Sequence, residues 1–279
     1  GMLGFCKRCK HKESSHVSAH QHDGEVPFPE YWESKGDKPH ALVNLKGTQG
    51  KEFQQLFDMT YKKAWTRDRS RHNANKNVPS GFKVKAVYRN ENCDNWVEYA
   101  VRRAELITRL HEDHEEGRES AEMITDVKTT VAWKSIAPDK ANRLAADCNE
   151  WYLFHGTNPQ AAQAICGSDF KLSFAGDNTG TLYGRGLYFA ESITKSDEYA
   201  KPNADGIYAV LLCRILGGRV KYTDAVTPEV EELVQSVTEG PYDTILGDRE
   251  KCRGTYKEFV IFDTEDVYPE YLIEYERLY

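Results

Sequence analysis

The sequence contains no apolar run long enough to cross a membrane. Its longest apolar stretches, such as residues 208–213, have the length of a strand, whereas a spanning helix needs about 18 residues. No secretory leader is recognisable, and the Gly before Met2 is interpreted as the remnant of a cleaved expression tag. These absences predict an intracellular protein, cytoplasmic or nuclear, that has no membrane partner.

Paired cysteines and an excess of positive charge are also lacking. The chain has seven cysteines, an odd number, and most of them are scattered, which excludes a disulfide framework and indicates a reducing compartment. The formal net charge is −7. Nonspecific binding of nucleic acid requires a net basic field, so nucleic acid is not expected to be the main partner. The oligomeric state stays open.

What is present begins with a Cys/His-rich N-terminal segment, residues 1–25. It contains two cysteines and four histidines but few residues that could form a core. Cys6 and Cys9 have the Cys-x2-Cys spacing of zinc ligands, and the spacing of His16 and His20 is also allowed at such a site. The segment is therefore predicted either to bind a structural zinc ion through these four residues or to form a disordered tail.

Residues 26–279 have the pattern of a mixed α and β domain. Apolar runs predict strands at residues 41–45, 82–89, 151–154, 187–190, 207–216, 259–262 and 271–275. Apolar spacing predicts helices at residues 52–65, 94–111, 159–166 and 194–200. The charge-dense stretch at residues 111–119 is predicted to be a solvated helix end or loop. Frequent strands with few long helices between them favour an α+β fold built on antiparallel sheets.

The first chemical signal is LFHGT at residues 153–157, where a predicted apolar strand ends in His155 and Gly156. A glycine at that place lets a ligand lie against the backbone and bind its N–H and C=O groups directly. By itself this signal is weak, because a histidine at a strand end is often a packed or solvated side chain.

The second signal is YGRGLYFA at residues 183–190, followed by KSDEY at residues 195–199. Its glycines lead into a strand rather than into a helix, so this is not the dinucleotide fingerprint of a Rossmann fold. Ser196 and Tyr199 are three residues apart on a predicted helix and would share a face beside Tyr188. Two tyrosine rings and a hydroxyl suit a flat aromatic amide, although both tyrosines could instead be core aromatics.

The third signal is a carboxylate, Glu258, beside the apolar run at residues 259–262. Glutamate is a poor strand former and is seldom buried without a partner. Its position therefore indicates either a function or a solvent-facing place at a sheet edge.

Taken together, LFHGT, YGRGLYFAES with KSDEY, and YKEFVIFD with VYPEYLIEY resemble the catalytic domain of the poly(ADP-ribose) polymerase family of ADP-ribosyltransferases. Upstream, FKVKAVYRNEN followed by Trp96 and Tyr99 resembles the strand and helix that open such domains. The resemblance implies one transferase domain over residues 26–279. Its fold would be α+β, with two packed, mainly antiparallel β-sheets flanked by short helices.

On that resemblance His155, Tyr188 and Glu258 take the catalytic His-Tyr-Glu triad of the family. His155 would bind the adenine-side ribose of NAD⁺, and the Gly156 backbone would pair with the nicotinamide carboxamide. Ser196 would bind the same carboxamide. Tyr188 would stack on one face of the nicotinamide ring.

The resemblance also implies a second set of contacts with NAD⁺. Tyr199 would stack on the other face of the ring, Thr157 completes the LFHGT motif, and Arg185 would lie near a phosphate. The loop at residues 169–183 would close over the dinucleotide. Glu258 would bind the ribose 2-hydroxyl and stabilise the oxocarbenium-like transition state as the nicotinamide bond breaks.

The implied function is transfer of ADP-ribose from NAD⁺ to an acceptor, with protein side chains, its own included, as the expected acceptors. The loop before Tyr183 resembles that of members that add a single unit, so mono-ADP-ribosylation is favoured over polymer. Two alternatives stay open, an NAD⁺ glycohydrolase and a noncatalytic module that binds ADP-ribose or protein. A module of that kind would be expected to lose His155 or Glu258, and both are present.

Overall fold

A computed structural model describes residues 26–34, 37–72, 77–118, 121–172 and 182–279. Within these ranges the chain has the α+β fold that the sequence predicts, with two sheets packed face to face and short helices around them. Among these residues no helix is long and apolar enough to cross a membrane.

The larger sheet has five strands, and each neighbouring pair in it is antiparallel. In spatial order they are β1 (His40–Asn44), β2 (Gly81–Asn92), β9 (Val267–Leu278), β5 (Tyr208–Leu216) and β3 (Glu150–Thr157). The longest strands, β2 and β9, pair near the middle of the sheet, so the second strand of the chain lies beside its last strand.

The smaller sheet has four strands, of which the last pair is parallel and the others are antiparallel. Their order is β4 (Leu187–Phe189), β8 (Lys257–Ile261), β7 (Thr244–Asp248) and β6 (Val220–Thr223). The sequence analysis missed β6 and β7. Every residue of β7 is buried, so that strand has no alternation of apolar and polar residues to indicate it.

The core lies on both faces of the larger sheet. Because successive strand residues point to opposite faces, Leu211 and Cys213 of β5 pack towards the smaller sheet, where they share a cluster with Phe259. Val210 and Leu212 point the other way and pack under the helices. Burial on both faces explains why β5 is an almost continuous apolar run.

Two helices, α1 (Thr48–Thr60) and α4 (Lys128–Ile136), cover the outer face of the larger sheet. Phe53 of α1 packs edge-on against Trp133 of α4, with ring centroids 5.2 Å apart, and against Tyr271 of β9 at 4.8 Å. The prediction that this helix reaches residue 65 is wrong, since the backbone becomes extended at its C-cap.

The other helices surround the two sheets and were in part predicted. They are α2 (Arg67–His72), α3 (Cys93–Glu115), α5 (Pro138–Ala141), α6 (Pro159–Gly167), α7 (Ile193–Asp197), α8 (Val230–Thr238) and α9 (Arg249–Arg253). The charge-dense stretch at residues 111–119, predicted to be a solvated helix end or loop, contains the C-terminal end of α3, and its described residues are exposed apart from Asp113. Asp113 is buried, and its carboxylate is paired with Arg219 at 2.6 Å and with Arg118 at 2.7 Å.

Candidate active site

The candidate site lies where the two sheets meet, at β3, β4, β8 and α7. A backbone bridge joins the sheets there, with Phe154 and Ala190 donating to each other's carbonyls at 2.8 and 3.0 Å. His155 follows Phe154 in β3, and the ring of His155 reaches the backbone of Tyr188 in β4. Two separate sequence signals are thus in contact.

His155 is held with a defined tautomer. Its Nδ1 lies 3.0 Å from the Tyr188 carbonyl oxygen, which can only accept, so Nδ1 carries the proton. Burial lowers the pKa of His155, although the bond to the carbonyl opposes this shift, and the ring is neutral at pH 7. Phe170 and Phe189 flank it, with centroids 5.1 and 5.4 Å away. The Nε2 atom can therefore accept a hydrogen bond from a hydroxyl group.

Gly156 is required by a close backbone approach. A Cβ atom at this position would lie 1.7 Å from the carbonyl oxygen of Ser196. The Ser196 hydroxyl donates to the Phe154 carbonyl at 2.9 Å, which fixes α7 against β3. The strand predicted at residues 151–154 is longer in the structure, because β3 runs on to Thr157, paired with Ala209 of β5.

The hydroxyl of Tyr188 is fixed by the turn that precedes β4. It donates to the Gly184 carbonyl and accepts from the Tyr183 N–H, each at 2.9 Å. Gly184 has a φ of +96°, a conformation that favours glycine. Burial raises the pKa of Tyr188, so the phenol stays neutral. Arg185, between the two glycines of the turn, is exposed.

Tyr199 lies one turn beyond Ser196. Helix α7 ends earlier than predicted, but the Tyr199 N–H still donates to the Ser196 carbonyl at 3.1 Å. The Tyr199 hydroxyl donates to Asp68 Oδ2 at 2.8 Å, and Lys195 Nζ lies 3.4 Å from that hydroxyl. Both tyrosine hydroxyls of the predicted pocket are therefore anchored by neighbouring groups.

Glu258 is buried in β8, which lies between β4 and β7 in the smaller sheet. It pairs with Gly247 of β7, and it lies one residue beyond Phe259, where the pairing of β8 with β4 ends. Only 7% of Glu258 is exposed. Its Oε1 atom lies 2.8 Å from Lys195 Nζ, so the buried carboxylate has the charged partner that its burial requires.

The sequence analysis missed Lys195 and the other groups around it. Lys195 Nζ also lies 2.8 Å from Asp68 Oδ2 and 3.1 Å from Glu198 Oε2. Burial by itself would lower the pKa of Lys195, but Glu258 and Glu198 raise it well above its usual value. One signal for this contact was present in the sequence. A glutamate expected to be buried needs a cationic partner, and Lys195 directly precedes Ser196, a residue of the predicted pocket.

Several predicted features lie wholly or partly outside the described residues. The loop expected to cover the dinucleotide includes residues 173–181, which are among these. The four expected zinc ligands, Cys6, Cys9, His16 and His20, are outside as well. In the part of the chain that the structure describes, no group of three or more His, Cys, Asp or Glu side chains could hold a metal ion. The five cysteines in that part are free.

A comparison with known families assigns the fold. The profile of the poly(ADP-ribose) polymerase catalytic domain matches residues 97–277, more than half of the chain. The chain belongs to this family. The match confirms the family resemblance seen in the sequence, and it leaves β1, α1, α2 and β2 outside the matched range.

Individual members of the poly(ADP-ribose) polymerase family are also similar to this chain. Mouse protein mono-ADP-ribosyltransferase PARP11 is 24% identical over 265 residues, which cover 90% of this chain and 65% of the relative. Mouse protein mono-ADP-ribosyltransferase PARP10 is 44% identical over 82 residues, 27% of this chain and 8% of the relative. The Caenorhabditis elegans poly [ADP-ribose] polymerase tankyrase is 30% identical over 117 residues, which cover 41% of this chain and 5% of the relative. The chain thus spans less than two thirds of the length of these relatives.

Proposed function

We propose that this chain is an NAD⁺-dependent mono-ADP-ribosyltransferase, with residues 26–279 as its catalytic domain and protein side chains as acceptors. The observation that carries the proposal is Glu258, a buried carboxylate held by Lys195 beside β3 and β4. A carboxylate in this setting acts on charge that develops during a reaction, since desolvation strengthens its field. Family membership supplies the substrate, NAD⁺.

In the proposed complex the His-Tyr-Glu triad consists of His155, Tyr188 and Glu258. The neutral His155 ring would accept a hydrogen bond from an adenine-side ribose hydroxyl at Nε2, which its bond to the Tyr188 carbonyl leaves as the acceptor. The Gly156 backbone and the Ser196 hydroxyl would hold the nicotinamide carboxamide. The close approach of these two residues supports that role, because one small group could contact both.

The nicotinamide ring would lie between Tyr188 and Tyr199, with Thr157 and Arg185 at the margins of the dinucleotide. Hydrogen bonds fix both tyrosine hydroxyls, so the rings are preorganised rather than ordered on binding. Each stacked ring contributes about 1 kcal/mol beyond burial. The loop at residues 169–183 would cover the bound dinucleotide.

The proposed reaction breaks the bond between ribose C1 and the nicotinamide nitrogen. As this bond stretches, the ribose becomes oxocarbenium-like, and the Glu258 carboxylate bound to the 2-hydroxyl stabilises the developing positive charge. Nicotinamide leaves as a neutral molecule, so no acid is needed and a single carboxylate suffices. The acceptor oxygen, from a protein carboxylate or hydroxyl, then attacks C1 from the opposite face; a hydroxyl releases its proton to the solvent, whereas a carboxylate has none to release.

Transfer of a single unit is favoured by the names of the relatives. The relative aligned over most of this chain, and the one aligned at 44% identity, are both mono-ADP-ribosyltransferases by name. The tankyrase match covers a smaller share of the chain, at 30% identity. The glycohydrolase alternative differs only in the acceptor, since water would take the place of the protein group.

Incubation of the purified protein with NAD⁺ labelled in the adenylate part tests the proposal. Label should enter protein as a single discrete species, with nicotinamide released in equal amount. A ladder of heavier products would show polymer formation, and free labelled ADP-ribose without labelled protein would show a glycohydrolase. If neither product forms, the noncatalytic binding module is the alternative that is left. Glu258→Gln, run in parallel, identifies any label that attaches without the enzyme's own chemistry.

We further propose that Cys6, Cys9, His16 and His20 hold a structural zinc ion. The proposal rests on ligand type and spacing alone. Metal analysis of the purified protein should find one zinc per chain, and the double variant Cys6→Ser, Cys9→Ser should lose it. Equal zinc in both proteins contradicts the assignment.

A further inference from the structure

A segment outside the family match borders the candidate site. Residues 62–72, which include α2, lie against α7 through buried contacts: Arg69 NH1 is 2.6 Å from Asp197 Oδ2, and Arg69 NH2 donates to the Thr194 carbonyl at 2.8 Å. The start of the segment is held separately, since the Tyr256 hydroxyl donates to the Ala64 carbonyl at 2.7 Å. The segment is thus an integral wall of the site region.

Asp68 is the residue of this segment that contacts side chains of the candidate site. Its Oδ2 atom lies 2.8 Å from Lys195 Nζ and 2.8 Å from the Tyr199 hydroxyl. Lys195 in turn contacts Glu258 at 2.8 Å and Glu198 at 3.1 Å. An ammonium group has three N–H donors, and these three carboxylates match them in number. One lysine therefore links Asp68 to Glu258.

The charges around Lys195 determine how well Glu258 can act on a cation. An ammonium 2.8 Å from Glu258 opposes any positive charge that develops on a nearby ribose. Asp68 and Glu198 offset that ammonium, and although Arg69 Nε lies 4.0 Å from Glu198, the three carboxylates outnumber the two cations. Without the charge of Asp68, Lys195 would be shared between two carboxylates, and its attraction would fall more heavily on Glu258.

The second contact of Asp68 acts on the predicted nicotinamide pocket. The Tyr199 hydroxyl donates to the same Oδ2 atom that meets Lys195. A single carboxylate oxygen thus fixes both a ring proposed to stack on nicotinamide and the cation beside Glu258. This geometry connects the position of the leaving group with the orientation of the carboxylate.

We propose that Asp68 is a positioning residue for ADP-ribosyl transfer: through Lys195 it keeps Glu258 oriented towards the ribose and limits the pull of the ammonium on the Glu258 carboxylate, and it sets the Tyr199 ring. This inference rests on the transferase function proposed above. It assigns a role to a segment that the family profile does not cover.

Asp68→Asn tests the role, because the amide has the same shape but no charge. Loss of one hydrogen bond to a charged group corresponds to about a tenfold change, which we expect in kcat for nicotinamide release, while the KM for NAD⁺ changes less than about threefold. Asp68→Glu restores the charge and should recover kcat to within about threefold of wild type. An unchanged kcat in Asp68→Asn overturns the proposal, as does Asp68→Glu that is no better than Asp68→Asn.

A double-mutant cycle with Lys195 tests the route. If Asp68 acts mainly through Lys195, then Asp68→Asn should cost less than about twofold once Lys195 has been changed to Met. Additive losses overturn the proposed route. Should Lys195→Met fail to fold, the Asp68→Glu rescue decides the question by itself.

Glu250→Gln is the matched control, because it tests whether loosening the segment at residues 62–72 by itself lowers kcat. Glu250 binds the same segment through Lys62 at 2.9 Å, so its loss loosens the segment at its other end. We expect kcat within about twofold of wild type, since an ion pair that is about one-third exposed contributes little. A loss as large as that of Asp68→Asn would show a merely structural effect and overturn the proposal. If the wild-type protein releases no nicotinamide, the proposed function itself is refuted. If the wild-type protein is active and the Asp68 variants are unaffected, only the role of Asp68 is refuted.

Discussion

Two buried glutamates of this protein lie in opposite kinds of surroundings. Glu150, at the start of β3, has a side chain with no exposed surface, and Arg214 Nε, the Tyr99 hydroxyl and the Ala145 N–H donate to its two oxygens at 2.6–2.7 Å. Glu258, in β8, is held through Oε1 by one lysine and keeps 9% of its side chain exposed. The first carboxylate is saturated by the fold, whereas the second retains access to a ligand. Saturation distinguishes a structural charge from a candidate catalytic one.

Loss of the saturated carboxylate should give the largest effect, on stability. Glu150→Gln leaves the buried Arg214 guanidinium with only the more distant Glu270 carboxylate, at 3.9 Å, as a charge partner, and we expect a loss of about 3–5 kcal/mol in the free energy of unfolding. Activity per folded molecule should stay close to that of wild type, because Glu150 lies at the opposite end of β3 from His155 and Gly156. Urea unfolding measures the first quantity and single-turnover kinetics the second. An unfolding midpoint equal to that of wild type would remove the distinction between the two glutamates.

Glu258→Gln should show the reverse pattern. The amide keeps the shape but loses the charge, so turnover should fall about 100-fold, equivalent to about 3 kcal/mol of transition-state stabilisation. The affinity for NAD⁺ should change little, because the ground-state ribose is neutral. Single-turnover kinetics beside a direct binding assay separate the two constants. Weak binding combined with normal turnover of bound NAD⁺ would show that the catalytic carboxylate is another residue.

His155→Ala should reduce both NAD⁺ binding and turnover, each by less than the loss of turnover in Glu258→Gln. The proposed contact is with the adenine-side ribose, so its loss should weaken NAD⁺ binding and also misplace the dinucleotide, and both constants should suffer by about tenfold. The same pair of assays measures them. A variant with wild-type affinity and reduced turnover alone would place His155 nearer to the breaking bond than we propose.

The smallest effect should come from the stacked rings. Benzamide, an analogue of nicotinamide, should compete with NAD⁺ and raise the unfolding temperature of the wild-type protein. Tyr188→Ala should weaken benzamide binding by about fivefold, the equivalent of one stacking contact near 1 kcal/mol. Thermal shift titrations give both results. No shift of the wild-type protein at millimolar benzamide would contradict the nicotinamide pocket.

The predicted strands and helices show where local patterns suffice. Strand β5 was found nearly to the residue, because burial on both faces produces a continuous apolar run. Strand β8 begins two residues earlier than predicted, at Lys257, since pairing with β7 includes the polar residues Lys257 and Glu258 in the sheet. Short β6 and the helices α2 and α4 were missed, as their sequences lack a period long enough to recognise.

The residues of the candidate site also divide into those that the sequence indicated and those that only the structure revealed. The motif residues His155, Tyr188 and Glu258 could be selected from the sequence, because the short motifs that contain them resemble those of the poly(ADP-ribose) polymerase family. Lys195 and Asp68 could not be selected, since each is an ordinary charged residue in a charged stretch. Their contact joins positions 127 residues apart.

The sequence by itself determined the α+β class, most of the strands of the larger sheet and the family, because apolar spacing and short motifs are local properties of a chain. Only the tertiary structure decided which cation holds Glu258 and which carboxylates hold that cation. Charges attract one another whatever their order in the chain, so the pairs that form depend on which segments the packed sheets bring together. Burial then makes those pairs specific, since a charge removed from water must have a partner nearby.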